Sequence, residues 1–162
     1  MVAFLASIVG LVIGIGVILW VMKRRPVGAP LTWGEAMVAA TFAFFLMFHA
    51  YGVVPHQWLN WADSELQWRK DAIGVPLGPI DADVDFGPVV IHDHTLWPEG
   101  VPLPNGHFVI TKEAVRDVVA TLIYVVLLGV HIAMWAIWQN RGKEKPAELP
   151  TSPYGRPILR KS

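Results

Sequence analysis

Three long apolar runs constrain this chain more than any other feature. The first, Val2 to Met22, carries no charged residue. At about 1.5 Å of rise per residue it is long enough to cross a hydrocarbon core of roughly 30 Å. Lys23, Arg24 and Arg25 follow the run instead of preceding it, the reverse of a signal peptide, so it reads as a retained span. The second run opens with Thr32-Trp33-Gly34-Glu35, the spacing in which a hydroxyl and a carboxylate satisfy the free N–H groups of a helix start. It continues from Ala36 to Val54, and Pro55 is expected to end it. The third follows Thr111-Lys112-Glu113, a Thr cap with an acid in the first turn, and extends from about Val118 to Trp138.

With 54% apolar and only 16% charged residues and a mean hydropathy of +0.44, the composition fits a membrane protein and not an ordinary soluble domain. The expected fold class is an all-α integral membrane protein. Its parts are a first span over 1–22, a linker over 23–32, a second span over 33–54, a loop over 55–113, a third span over 114–138 and a basic, Pro-rich tail over 139–162. Trp20, Trp33, Trp58, Trp61, Trp135 and Trp138 fall at the ends of these spans, where amphipathic rings settle between headgroups and acyl chains.

Cation placement sets the expected orientation. Lys23, Arg24 and Arg25 in the linker and six Lys/Arg in the tail place both segments in the cytoplasm. The loop from Pro55 to Glu113 has three Lys/Arg against nine Asp/Glu and belongs on the other side. The amino terminus is then extracytoplasmic and the carboxyl terminus cytoplasmic, in a topology suited to a bacterial plasma membrane. Thirteen Lys+Arg balance thirteen Asp+Glu, so there is no global basic field for nucleic acid. The chain has no cysteine, which excludes disulfides, thiolate metal sites and Cys-held iron–sulfur clusters.

Each span carries small residues at four-residue spacing: Gly10 and Gly14 in the first, Ala36/Ala40 and Ala39/Ala43 in the second, Gly129 and Ala133 in the third. Such ridges let another helix backbone approach closely. They serve either the internal bundle or a docking face for other membrane subunits.

His49 and His131 lie within spans, and ionisable residues at that depth are functional candidates. Placed by span ends, they lie about 8 and 10 Å from opposite faces of the core, hence about 12 Å apart in depth. One haem cannot bridge that gap. Each histidine can instead ligate haem b together with another chain, hydrogen-bond a quinone with Tyr51 and Tyr124 nearby, or simply be satisfied by a helix carbonyl, a lipid headgroup or a neighbouring subunit.

In the loop, Trp58, Trp61, Ala62, Leu66 and Trp68 recur at loosely helical spacing, expected as a helix lying in the headgroup plane. Residues 73–107 are rich in Pro and Gly and read as a folded lid. Within it Pro88 to Trp97 has strand composition, and Phe108 to Ile110 is expected to pair with it as a short β-hairpin. His92-x-His94 on such a strand would point both imidazoles one way, towards a shared Cu²⁺ or Zn²⁺ with His107 or His56 as a third ligand. Asp81, Asp83 and Asp85 resemble the start of an EF-hand loop, but glycine falls at position seven and position twelve is His92, so a true EF-hand is rejected. The alternatives are a looser Ca²⁺ site and three carboxylates on one extended acidic edge.

No phosphate loop, Gly-x-Ser-x-Gly elbow or His-Glu-x-x-His occurs, so catalysis by this chain alone is not expected. The tail is expected either to meet anionic lipid or to lie along a partner through Tyr154, Pro157, Ile158 and Leu159. These features point to an auxiliary subunit of a multi-subunit membrane complex of the respiratory, quinone-linked electron-transfer kind. The alternatives are an extracytoplasmic copper- or zinc-binding or delivery protein and a haem b-binding oxidoreductase subunit.

Overall fold

The computed structural model describes residues 1–80 and 82–142, so the expectations for the tail beyond Gly142 and for Asp81 lie outside the described residues. It contains three helices long and apolar enough to cross a membrane, consistent with a multi-pass membrane protein: Val2–Arg24, Trp33–Ser64 and Lys112–Asn140. The first and last are α1 (Val2–Arg24) and α4 (Lys112–Asn140). The middle one is composite. α2 (Trp33–Phe48) passes through a π-helical turn over His49–Val53 into α3 (Val54–Ser64).

The stop expected at Pro55 therefore does not occur. Pro55 has no N–H to give, and in a regular α-helix its ring would clash with the carbonyl four residues earlier. The widened turn relieves this: the Val54 N–H donates five residues back, to the His49 carbonyl, and Pro55 enters in the first turn of α3, where proline is tolerated. The Trp-rich segment from His56 is accordingly not a separate helix. It continues the second helix, with Trp58 and Ala62 buried against Ala120 of α4. Phe4, Trp61 and Trp68 close around them, Phe4 lying 5.7 Å from both Trp58 and Trp61 ring centroids.

The helix starts are as their sequences dictate. The Glu35 N–H donates to Thr32 Oγ1 at 3.3 Å while Glu35 Oε2 accepts from the Thr32 N–H at 2.9 Å. Thr111 Oγ1 accepts from the Ala114 N–H at 3.2 Å. The bundle core is Leu11, Leu46, Ala50, Val54 and Leu127, and the glycines of α1 let α2 close in. A Cβ on Gly14 would stand 2.4 Å from Leu46 Cδ1, and one on Gly10 3.3 Å from His49 Nε2. At the basic end, Arg141 Nη1 donates to the Met22 carbonyl at 2.9 Å, bringing the close of α1 and the close of α4 together. At the loop end, Arg116 of α4 reaches Asp63 of α3 at 2.5 Å.

The loop after α3 is built from short antiparallel strands: β1 (Val75–Pro76), β2 (Val84–Phe86), β3 (Val89–His92), β4 (Thr95–Leu96), β5 (Val101–Leu103) and β6 (Gly106–Phe108). β1-β4-β3-β2 form one sheet, and β5-β6 form a separate hairpin. Phe108 thus pairs with Val101 and not with the Pro88–Trp97 segment, which itself folds into the β3–β4 hairpin. The loop is tied down beside the start of α4, where Lys112 Nζ donates to Thr95 Oγ1 at 3.0 Å. The Gly74 N–H donates to the Ile110 carbonyl at 2.8 Å, and the Lys112 N–H to the Ala72 carbonyl at 2.7 Å. Gly74 has φ +98 and no room for a side chain, since a Cβ would lie 2.8 Å from the Leu96 carbonyl oxygen.

Candidate functional site

The intramembrane polar groups sort into two clusters. The π-turn directs His49 at α1, where His49 Nε2 stands 2.8 Å from the Ser7 carbonyl oxygen. A carbonyl only accepts, so Nε2 carries the proton and Nδ1 is left as a lone pair. Gly10 is the residue that admits the ring. Two residues on, Tyr51 faces α4. Its hydroxyl lies 3.2 Å from His131 Nδ1, and that same nitrogen lies 3.1 Å from the Leu127 carbonyl oxygen one turn earlier. Tyr51 stacks on His131 with centroids 5.2 Å apart and on Tyr124 with centroids 6.2 Å apart and planes 6° from parallel.

The depth estimate from sequence does not survive this arrangement. Leu46, before His49, lines one small cavity of about 40 Å³ with His131, and Tyr51, after it, touches His131. The two histidines therefore stand at similar depth. The error came from ending the second helix at Val54. They still do not converge, because His49 turns to α1 and His131 to Tyr51.

His131 Nε2 has no hydrogen-bond partner among the described residues, and no buried side-chain N or O among them lacks one. The ring is half-buried, so its unpaired nitrogen is not sealed off from a ligand approaching along α4. Tyr124, also on α4, is 44% exposed. The small-residue ridges divide likewise. Gly10 and Gly14 are filled by His49 and Leu46 within the chain, whereas Gly129 has nothing within 4 Å and Ala133 is exposed.

The loop histidines are dispersed. His92 ends β3, but Asp93 and His94 have φ 45 and 55 and form the two-residue turn into β4, the left-handed pair that a tight hairpin demands. The alternation argument for His92 and His94 fails on this backbone, since His94 is not a strand residue. His92 Nδ1 pairs with Asp83, His107 lies on β6, and His56 is joined to Asn60 at 3.0 Å. Among the described residues no three His, Asp or Glu side chains gather as a metal site requires.

Sequence reasoning overlooked the charged cluster at the loop end. Arg116, only 16% exposed, is held by Asp63, Glu113 and Asp117, while Trp58 Nε1 donates to the Arg116 carbonyl at 3.2 Å. Arg116, Asp63 and Glu113 line an open groove of about 810 Å³ with Asn60, Ser64, Arg69, Lys70 and Asp71. The signal was an arginine one turn into an apolar helix, which needs an acidic partner. Against protein-family models, curated proteins and solved structures alike, the chain has no match.

Proposed function

We propose that this chain is an auxiliary subunit of a multi-subunit membrane assembly, of the respiratory, quinone-linked electron-transfer kind. Its loop serves as an extracytoplasmic lid packed on a neighbouring subunit. The observation that carries the reading is a sheet without a second layer. A β-sheet is stable when one apolar face is covered, yet among the described residues both buried apolar clusters lie among the helices. Phe86 on β2 is 80% exposed and Phe108 on β6 is 60% exposed. Neither position is explained by lipid if the acidic loop stands outside the membrane.

The orientation follows the positive-inside rule. Lys23, Arg24 and Arg25 stand at the same end of the bundle as Arg141, which binds the Met22 carbonyl, and that end is assigned to the cytoplasm of a bacterial cell. Extraction of the tagged chain from native membranes in mild detergent, followed by mass spectrometry, tests the proposal. Near-equal recovery with other membrane subunits, lost when Phe86 and Phe108 are both changed to Ser, is the expected outcome. Recovery of the chain alone overturns it.

A further inference from the structure

We propose that Tyr124, Tyr51 and His131 form a binding ledge for the ring of a membrane-dissolved quinone, recognised in both its oxidised and its reduced form through His131 Nε2. The inference rests on the quinone-linked reading above and names its ligand class.

His131 Nδ1 stands between two neighbours of different kinds. One neighbour is the Leu127 carbonyl at 3.1 Å, which accepts only; the other is the Tyr51 hydroxyl at 3.2 Å, which also donates. With the proton on Nδ1, the carbonyl takes it and Nε2 is a free lone pair. With the proton on Nε2, the tyrosine hydroxyl donates to bare Nδ1 and Nε2–H is a free donor. Each tautomer is satisfied at Nδ1 by a different partner, so Nε2 is equally able to accept or to donate. Quinone oxygens change in the complementary sense: carbonyls accept, and the hydroxyls of the reduced form donate. A haem iron uses the lone pair alone.

Three further features select a ring dissolved in the membrane. The site lies within helices apolar enough to span a bilayer, so a neutral, lipid-soluble molecule is what reaches it. From His131 to Arg141 the helix rises about 15 Å, which sets the site below the ester groups of phospholipids. The rings of Tyr124 and Tyr51 lie 6° from parallel, and Tyr51 and His131 lie 24° from parallel, a set of planes on which a flat ring stacks. Tyr124 adds a hydroxyl with no partner among the described residues.

The test is photolabelling with an azidoquinone in native membranes, where any neighbouring subunits are present, with peptide mapping of the label. In the wild type the label is expected between Tyr124 and Met134. His131→Leu should lower it about tenfold or more, as loss of a buried polar partner does. His131→Gln, which keeps both a donor and an acceptor, should retain most of it and serves as the control for insertion. Tyr51→Phe leaves only the Nδ1–H tautomer satisfied, so competition by an oxidised quinone should weaken about tenfold while competition by its quinol changes little. Equal labelling of wild type and His131→Leu overturns the proposal. So does a b-type haem absorption band in the purified chain that disappears in His131→Leu. Co-purification is read on the same membranes without label, which separates the two ideas. Partners without labelling remove the quinone site alone, and labelling of a solitary chain removes the subunit reading alone.

Discussion

Where the helices meet, the buried side chains are apolar apart from Ser7 and often small, with Ala50 and Ala62 at 0% exposure and Leu46 seated over Gly14. In the strands of the loop the only buried side chain among the described residues is Thr95; Ile91 and Leu96 are half-buried, and Phe86, Leu103 and Phe108 are exposed. The bundle is held by burial and close approach at its helix seams, while most residues of its long helices stay exposed on its outside, as in helices fit to cross a membrane. The loop is held by ladder hydrogen bonds, turn residues at positive φ and its tethers beside the start of α4. Contacts of that kind define a shape without supplying the apolar burial that makes a sheet stable by itself. The same chain thus contains a region with buried apolar seams and one that is nearly all ladder and turn.

The widest contrast is between Leu46 and Phe86. Leu46→Ala empties the notch over Gly14 and should cost about 2–5 kcal/mol, read as a lowered midpoint of unfolding in micelles. Phe86→Ala removes a larger side chain, yet in the isolated chain it should stay within about 0.5 kcal/mol of wild type. Equal losses would break the comparison, because Phe86 would then have a buried role. Gly74→Ala comes next. The new methyl would meet Thr95 Cγ2 at 2.4 Å in a left-handed backbone with φ +98, and about 1–3 kcal/mol of strain is expected. Hydrogen exchange should speed up in β1 and β4 while α1 and the core of α4 stay protected. Uniform loss of protection would mean that loop and bundle form one cooperative unit.

The bundle was largely legible in the sequence because its governing physics is local. Hydropathy located all three helices, and Thr32-x-x-Glu35 and Thr111 marked two starts to the residue. Pro55 misled because the local rule says stop, whereas a widened turn allows the helix to continue once Trp58 and Ala62 have a neighbour to bury against. His92 and His94 misled for a related reason: a histidine at φ 55 in a two-residue turn carries no residue-type signal comparable to glycine. Of the site, His49, His131, Tyr51 and Tyr124 were visible as polar residues in apolar runs. That Tyr51 binds His131 while His49 binds Ser7 was not, since those pairings depend on how distant helices are rotated against one another.

The smallest expected effect tests the border between the regions. Asp63 closes α3 just before the loop departs, and Arg116 stands one turn after the loop returns, so their contact joins the two edges of the junction. Asp63→Asn does not orphan the guanidinium, because Glu113 at 3.3 Å and Asp117 at 2.8 Å still hold it. Asp63 is itself 48% exposed, so water screens the lost attraction. A cost of at most about 1 kcal/mol follows, shrinking further in high salt. The consequence should appear as faster proteolysis between Glu65 and Ala72 at low ionic strength, with the unfolding midpoint of the bundle unchanged. If the midpoint falls as far as in Leu46→Ala, the ion pair is part of the bundle's own stability. The border between the helical region and the stranded one then lies beyond Asp63, within the strands.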